Sequence, residues 1–406
     1  MEVSPALPKG LTGNFERKVG LMIEHTACAT EPGDGGTTLI SPQSGGVENM
    51  RDLHYRFLDL ARVLPLSVEV GKGLAELIRP GHADGLLEKV TALRRQMAFE
   101  LGLVVPGIRF RESSSLQPHG YAFQVNGVEA AIGQVEPNAV LAIPAGERRL
   151  DIPGRETRDP IYGAPAQWIS PTQRNVAVEL GAGVYDVTSV LVIHLSEVVR
   201  SYSADLLGRQ ETRWLLDFVA ADHPDLVASL SDLSLGEIRG VLQALLRERV
   251  PLCDIVTIFE ALADVAPHSR TQLHLVEAAR MALARRICRD HMASDGALHA
   301  ITLAVPLEAT LLEAVGRITT GNPQASLLDA QVAEHLLHAV GDALDASRED
   351  GRHAVLVVHP GIRLYLRRLL EPAFSTVAVL SWAEVMNGRP PRPRVQIMRT
   401  LQPAAQ

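Results

Sequence analysis

The pattern of apolar positions first predicts a short amphipathic helix. Leu53, Phe57, Leu60 and Leu64 follow one another at spacings of four, three and four residues, so they share one face of a helix over residues 49–66. Residues 1–48 are rich in Pro, Gly, Ser and Thr, a composition that does not bury enough apolar surface to fold. The chain is therefore predicted to begin with a flexible linker and an amphipathic linker helix.

Residues 67–137 mix helical and strand periodicities. Leu86 to Leu101 show a helical apolar face that Gly102 ends, and a strand is predicted over Val104–Arg111. The clearest local signal is a β-hairpin. Apolar positions alternate up to Asn126-Gly127 and away from it, and this pair readily adopts the positive φ angles of a two-residue turn. This part is predicted to be a helix on a small mixed sheet.

Turn residues dominate the next stretch, 138–186, which therefore predicts a small β-rich subdomain. Helical sequence resumes at Thr188 and needs a sheet to pack on. We therefore expect residues 187–206 to return to the sheet of residues 67–137, with 138–186 as an insertion between the two parts of subdomain 1.

The second half of the chain predicts a helical subdomain over 207–292. Ser234 and Glu237 have capping-box spacing, and Asp254 and Thr271 stand where N-caps of the following helices are expected. Over 293–395, helical patterns around 311–315, 327–344 and 362–370 alternate with strands at Val355–Val358 and Thr376–Leu380, which predicts a βαβ unit. Residues 396–406 are assigned to a tail. The predicted fold class is α+β with several subdomains.

Charge and cysteine content narrow the function classes. The 406 residues carry a formal net charge of −8 and a pI near 6.0, which argues against a nucleic-acid partner because phosphate binding needs a basic face. The three cysteines lie far apart and favour a reducing compartment. No stretch has the ~18 uncharged apolar residues of a membrane-spanning helix. The sequence as written is therefore expected to be cytoplasmic.

Motifs for chemistry are absent from the sequence, so neither a cofactor, a metal nor a catalytic residue is predicted. The chain has no P-loop and no GxGxxG, and the two histidines of Glu334-His-Leu-Leu-His338 do not have the spacing of a zinc helix. Asp159 before Pro160 has two interpretations. It opens a turn, or it is the carboxylate of a hydrolase-like enzyme that works with a nearby histidine.

Several blocks in order resemble one protein family. They are Arg94–Pro106, Asn126–Glu129, Asp159–Gly163 with Trp168-Ile169, His194–Val199, Leu206–Glu211, Glu248–Asp254 and Ile258–Ala263. From about 67 to 390 the chain resembles the cytosolic region of the flagellar and type III secretion export gate family, also called the flagellar/HR/invasion protein export pore family. The resemblance implies a substrate- and chaperone-docking protein, not an enzyme.

The resemblance also implies partners and a location. Members of the family form nine-membered rings beneath the bacterial inner membrane, receive chaperone-bound export substrates, and cooperate with the secretion ATPase complex and the substrate-switch protein. They normally carry a membrane region ahead of this one. The chain is thus expected at the cytoplasmic face of the inner membrane, either as an excised region or as a reduced member, in a flagellar or an injectisome system.

Site residues follow from the same resemblance. The chaperone-binding positions of the family fall on Asp159, Tyr162 and Ile193, where Tyr replaces Phe and Ile replaces Thr. Arg209 and Glu211 are expected either to pair with a neighbouring subunit or only to fix the start of the helical subdomain. In the family, the segment before the cytosolic domain docks on the next subunit, so Leu53, Phe57, Leu60 and Leu64 are expected at a subunit interface.

Overall fold

The computed structural model describes residues 63–79, 85–145, 150–320, 330–349, 351–387 and 393–403. These residues divide into an N-terminal unit, 63–97 and 104–206, and a C-terminal unit, 98–103 and 207–403. Within the described residues, no helix is both long enough and apolar enough to cross a bilayer.

The N-terminal unit begins with a four-stranded sheet in the order β2-β1-β3-β4. Strands β1 and β2 are parallel, and the other neighbours are antiparallel. Its elements are β1 (Leu66–Val70), α1 (Leu86–Leu101), β2 (Ile108–Glu112), β3 (Gly120–Val125) and β4 (Val128–Gln134). The predicted hairpin is confirmed, since Asn126 and Gly127 adopt φ angles of 51° and 78° between β3 and β4.

Two predicted elements of this part need correction, and a proline explains each. The strand expected from Val104 begins only at Ile108, because Pro106 has no N–H to donate to a sheet. The helix expected over 49–66 lies outside the described residues up to position 62. Its last part is not helical: residues 63–65 have no regular structure and Leu66 opens β1, since Pro65 disfavours a helical Leu64.

A second four-stranded sheet, antiparallel and ordered β6-β7-β5-β8, follows within the same unit. Its elements are β5 (Val140–Ile143), β6 (Gly154–Arg158), β7 (Pro165–Ile169), α2 (Arg174–Glu179) and β8 (Gly183–Tyr185). It has its own small core, which includes Val140, Ala142, Ile169 and Ala177. Helices α3 (Val187–Ser201) and α4 (Ser203–Leu206) complete the unit.

Helix α3 is fixed at its first residue by a network around Asp186. The Asp186 carboxylate accepts a hydrogen bond from the Ser189 amide at 2.7 Å and so caps the helix. Lys89 on α1 reaches the same carboxylate at 3.1 Å. The cap and the ion pair therefore define where α3, the helix that carries Ile193, begins, and its ten buried residues hold it against the rest of the unit.

Helices fill the first part of the C-terminal unit. They are α5 (Arg209–Asp222), α6 (Pro224–Ser229), α7 (Leu235–Arg247), α8 (Ile255–Val265), α9 (Gln272–Ala282) and α10 (Ala284–Asp290). The three predicted caps are confirmed: Ser234, Asp254 and Thr271 each accept a backbone N–H at the start of a helix, and Glu237 completes the capping box. We call residues 207–290 the helical region.

The rest of the C-terminal unit, which we call the α/β region, is built on a parallel four-stranded sheet ordered β11-β10-β9-β12. Its elements are β9 (Ala297–Leu303), α11 (Val305–Thr320), α12 (Ala330–Glu349), β10 (Ala354–Val358), α13 (Pro360–Leu370), β11 (Val379–Ser381), α14 (Trp382–Asn387) and β12 (Arg394–Leu401). The predicted βαβ pair, β10-α13-β11, is confirmed.

Three sequence expectations for the α/β region differ from the structure. Strand β9 was not predicted, although all seven of its residues are buried. Residues 396–401 of the predicted tail instead lie in β12, which pairs with β9. Strand β11 starts at Val379 and not at Thr376, because the Val377 amide closes a turn on the Phe374 carbonyl.

Candidate docking surface

Asp159 organises the tight turn that carries Tyr162. Its carboxylate accepts hydrogen bonds from the amides of Ile161 at 3.3 Å and Tyr162 at 2.8 Å. Its backbone carbonyl accepts from the Gly163 amide at 2.9 Å, and Gly163 has a φ of 68°, which favours glycine. The Asp159 residue is 3% exposed. Asp159 therefore positions its neighbours and does not itself lie on the surface.

Burial and hydrogen bonding act in opposite directions on this carboxyl group. Desolvation raises the pKa of Asp159, and the two amides that it accepts from offset only part of that rise. The two amides bond to different oxygens, so Asn would keep the bond from Tyr162 and lose the longer one from Ile161. This position thus requires acceptor oxygens that reach both amides, which agrees with the turn interpretation of the sequence.

Tyr162 lies half-buried beside helix α3. Its hydroxyl donates a hydrogen bond to Oε2 of Glu197 at 3.4 Å. Burial and the neighbouring Glu197 charge raise the pKa of Tyr162 to about 12, so the phenol is neutral and remains a donor at physiological pH. The turn thus presents an aromatic ring whose polar end is held by the helix.

Ile193 and Glu197 stand one turn apart on α3, on the face that also meets Tyr162. Ile193 is half-buried, as is Glu197. Behind them, Ser196 donates to the Ile193 carbonyl at 2.7 Å and accepts from Arg200 at 3.0 Å. We call Tyr162, Ile193, Glu197 and Arg200 the α3 edge, a partly exposed strip with an aromatic ring, an aliphatic side chain and two charges.

His194, next to Ile193, faces the other way and belongs to a buried aromatic cluster. Its Nδ1 lies 2.9 Å from the Tyr121 hydroxyl, and its ring packs edge-on against Tyr121 and Phe123. Burial lowers the pKa of His194 to about 4. The imidazole is therefore neutral and satisfied at physiological pH, in agreement with a structural role.

The other predicted interface residues are placed as follows. Glu211 accepts from the Gly208 amide at 3.0 Å and so caps α5, which agrees with its structural interpretation. Arg209 is exposed at the start of the same helix. Leu53, Phe57 and Leu60 lie outside the described residues, and Leu64 is half-buried next to β1. Their role at a subunit interface stays a prediction.

Sequence reasoning named Asp159, Tyr162 and Ile193, and the structure brings the last two to one edge around Glu197. Sequence reasoning did not name Glu197 and Arg200, the other two members of the α3 edge. Their signal was available, since both fall on the helical face of Ile193 at spacings of four and seven.

Over the part of the chain that the structure describes, no group of three or more His, Cys, Asp or Glu side chains could hold a metal ion.

Sequence comparisons match the chain with export proteins. The FHIPEP family model matches residues 36–389. The flagellar biosynthesis protein FlhA of Bacillus subtilis is 34% identical over 331 residues, which are 81% of this chain and 48% of FlhA. FlhA of Treponema pallidum is 33% identical over 348 residues, 85% of this chain and 49% of that protein. The chain thus spans about half the length of these relatives.

Solved structures share the fold. The Chlamydia pneumoniae CdsV protein superposes with a TM-score of 0.71 at 24% identity and covers 84% of this chain and 98% of its own. The nonameric EPEC SctV-C superposes with a TM-score of 0.65 at 21% identity and covers 84% of this chain and 98% of its own. These likenesses confirm the predicted α+β class with several subdomains. The family model matches most of the chain, including all of the sequence blocks named above. The chain therefore belongs to the FHIPEP family.

Proposed function

We propose that the chain is the substrate- and chaperone-docking part of a type III protein export gate, and that the α3 edge receives the carried proteins. The family consists of components of secretion export gates and not of enzymes. The function to be assigned is therefore recognition of other proteins, and the hydrolase-like alternative built on Asp159 is set aside.

The composition and support of the α3 edge carry this proposal. An aromatic ring and an aliphatic side chain stand beside a carboxylate and a guanidinium, which is the mixture that protein interfaces use at their anchors and rims. The strip is also held in place: Asp159 fixes the turn of Tyr162 through two amides, and Tyr162 is bonded to Glu197. A pre-positioned edge loses little side-chain freedom when a partner binds.

The assembly is proposed to be a ring. The neighbour of known structure SctV-C is nonameric, and a nonameric cytosolic domain has also been solved for EscV. CdsV has been solved in a complex with the CdsO protein, which shows that a protein of this fold binds another component. The secretion ATPase complex, the substrate-switch protein and a position at the cytoplasmic face of the inner membrane are parts of the same proposal.

Binding of a cognate export chaperone, loaded with its cargo, tests the role of the α3 edge. The immobilised chain is titrated with the complex, and Tyr162→Ala combined with Ile193→Ser is compared with the unchanged protein. We expect the double substitution to weaken binding by about a hundredfold, since two anchor side chains are truncated. Circular dichroism and the melting temperature of both proteins show that the fold is retained.

A matched control lies in the same unit. Ile132 on β4 is 57% exposed and does not belong to the α3 edge, so Ile132→Ser should leave binding unchanged. Equal weakening by Ile132→Ser would show that the loss at the edge is not specific. If the unchanged chain binds none of its cognate chaperone–cargo complexes, the docking function itself is wrong.

A further inference from the structure

A cluster of buried charges joins the helical region to the α/β region within the C-terminal unit. It consists of Glu248, Glu277, Arg280, Arg363 and Glu384. Arg363 is fully buried, Arg280 is 2% exposed and Glu384 is fully buried. Fully buried arginine and glutamate side chains are rare because an ion loses its favourable hydration on leaving water. Such a cluster needs a reason beyond packing.

The pairing within the cluster is reciprocal. Arg363, on α13 of the α/β region, donates from Nε to Glu277 at 2.8 Å and from Nη2 to Glu248 at 3.2 Å. Arg280, on α9 of the helical region, donates from Nε to Glu384 at 2.7 Å. Each region thus contributes a guanidinium that carboxylates of the other region neutralise.

Glu248 stands at the centre of the pairing, and Glu384 is fixed at its edge. Glu248 also accepts from Nη1 of Arg280 at 3.1 Å, so both arginines converge on this one carboxylate. Oε2 of Glu384 accepts a hydrogen bond from the Ser381 hydroxyl at 3.0 Å, in addition to the bond that Glu384 accepts from Arg280. Since a guanidinium and a carboxylate pair well only when their planes are aligned, few relative positions of the two regions satisfy all of these bonds.

The apolar core of the α/β region reaches the cluster at strand β11. This core includes Val379, whose carbonyl accepts from Nη2 of Arg280 at 3.4 Å. Apolar contacts are not directional and tolerate small shifts. Directional contacts at the junction come from the charge cluster, with one weaker bond from Sγ of Cys288 to the Glu384 carbonyl at 3.7 Å.

We propose that this cluster is an orientation lock, which holds the α/β region on the helical region in a single geometry and makes the two regions one cooperative body. Buried ion pairs add little to stability compared with apolar side chains of the same shape, and in some proteins they instead select one alignment. Because the pairing is reciprocal, we assign this cluster the role of selecting one alignment of the two regions. The lock does not depend on what the α3 edge binds.

Hydrogen exchange on the unchanged protein is the first test. If the lock holds, the Nε protons of Arg280 and Arg363, which bond to carboxylates of the other region, exchange only in the same opening that exposes the core amides of the two regions, so all of them share one dependence on urea concentration. Exchange of these guanidinium protons at lower urea than the core amides of either region would overturn the proposal, because the regions would then separate before either unfolds.

A charge-free variant separates orientation from stability. It combines Arg280→Met and Arg363→Met with Glu248→Gln, Glu277→Gln and Glu384→Gln, so that no member of the cluster keeps a charge. The nearby buried Arg367 retains its bonds to the Phe374 and Ser375 carbonyls. Spin labels on the exposed Cys253 and on Asp345→Cys, in a Cys28→Ser background, report the distance between the regions. We expect a single narrow distance distribution in the protein with the intact cluster, and at least a doubling of its width in the charge-free variant.

The outcomes are distinct. A folded charge-free variant with the same narrow distribution would overturn the lock, since shape alone would then fix the orientation. A broadened distribution at a melting temperature within a few degrees of the original supports it. Should the charge-free variant fail to fold, the hydrogen-exchange result on the unchanged protein decides the question.

Discussion

Asp159 and Glu248 are both buried carboxylates, one in each unit, and they are satisfied in opposite ways. Asp159 accepts from amides two and three residues further along the chain. Glu248 accepts from two arginines, one of which lies 115 residues away. Burial therefore raises the pKa of Asp159, whereas the positive charges of Arg280 and Arg363 overcome desolvation and lower the pKa of Glu248.

The difference shows what each carboxylate is for. A carboxylate bonded only by amides serves the shape of its own turn, and the positions of its two oxygens matter more than its charge. A carboxylate bonded by guanidiniums from two regions connects those regions, and its charge is essential because the arginines would otherwise be buried without a counter-ion. The following substitutions test whether the two carboxylates differ in this way.

The largest expected effect is that of Glu248→Gln. Loss of this one charge leaves two buried arginines under-neutralised, which should lower the free energy of unfolding by about 3–5 kcal/mol. Asp159→Asn is the matched control and should cost at most about 1 kcal/mol, since it loses one of the two amide bonds but also removes the unfavourable buried charge. Urea unfolding followed by circular dichroism measures both. Equal costs would remove the distinction between the two sites.

The same pair predicts opposite acid responses. The lowered pKa of Glu248 means that its stabilising effect is present at neutral pH and is lost as the pH falls through its folded-state pKa. The raised pKa of Asp159 means that ionisation costs stability at neutral pH, and that protonation removes this cost as the pH falls through the folded-state pKa towards the ordinary value of 3.8. In urea unfolding followed across acidic pH, Asp159→Asn should therefore abolish a gain in stability, and Glu248→Gln should abolish a loss.

His194 is expected to give the next largest effect. Its folded pKa of about 4 lies below the ordinary value of 6.5, so protons bind preferentially to the unfolded chain as the pH falls. This linkage should cost about 2 kcal/mol between pH 7 and pH 5. The difference in urea stability between these pH values should shrink by that amount in His194→Gln. An unchanged difference would show that His194 is not held neutral.

Truncation of the turn residue itself should have a smaller effect. Asp159→Ala leaves two amides of the turn without an acceptor, for an expected cost of about 1–3 kcal/mol. Because Tyr162 is displaced, binding of a chaperone–cargo complex should weaken as well, whereas Asp159→Asn should bind almost normally. Parallel titrations of the two variants test this. If Asn also abolishes binding, the turn needs both carboxylate oxygens to hold Tyr162 in place.

The smallest effect is expected at Glu211. Its side chain closes the cap of α5, so Glu211→Ala should cost about 1 kcal/mol of stability and leave the size of the assembly unchanged. Light scattering at matched protein concentration measures the size. A smaller assembly would instead support the interpretation in which Glu211 pairs with a neighbouring subunit. Arg209→Ala, on the same helix, is the companion variant.

Elements whose sequence signals lie within a few neighbouring residues were predicted correctly. Elements that form only by pairing with distant residues were not. The Asn126-Gly127 hairpin and the caps at Ser234, Asp254 and Thr271 are confirmed because their hydrogen bonds close within two to four residues. Strand β12 was missed because its exposed, mixed sequence becomes a strand only by pairing with β9, almost a hundred residues earlier.

The candidate site shows the same limit on a smaller scale. Tyr162 and Ile193 were named through family resemblance, but only the fold shows that Asp159 is buried and that Glu197 binds the Tyr162 hydroxyl. The i, i+4 spacing placed Glu197 on the face of Ile193, yet nothing local indicated that a turn 35 residues earlier would meet that face.

Local signals were enough to predict three helix caps, the hairpin and the family, and to offer the Asp159 turn as one of two interpretations, because short-range hydrogen bonds and ordered blocks lie in neighbouring residues. Only the packed fold shows that Arg363 meets Glu248 and Glu277, and that Arg280 meets Glu384 of the other region. A buried charge finds its counter-ion only once distant elements have packed, so its partner cannot be read from the residues around it.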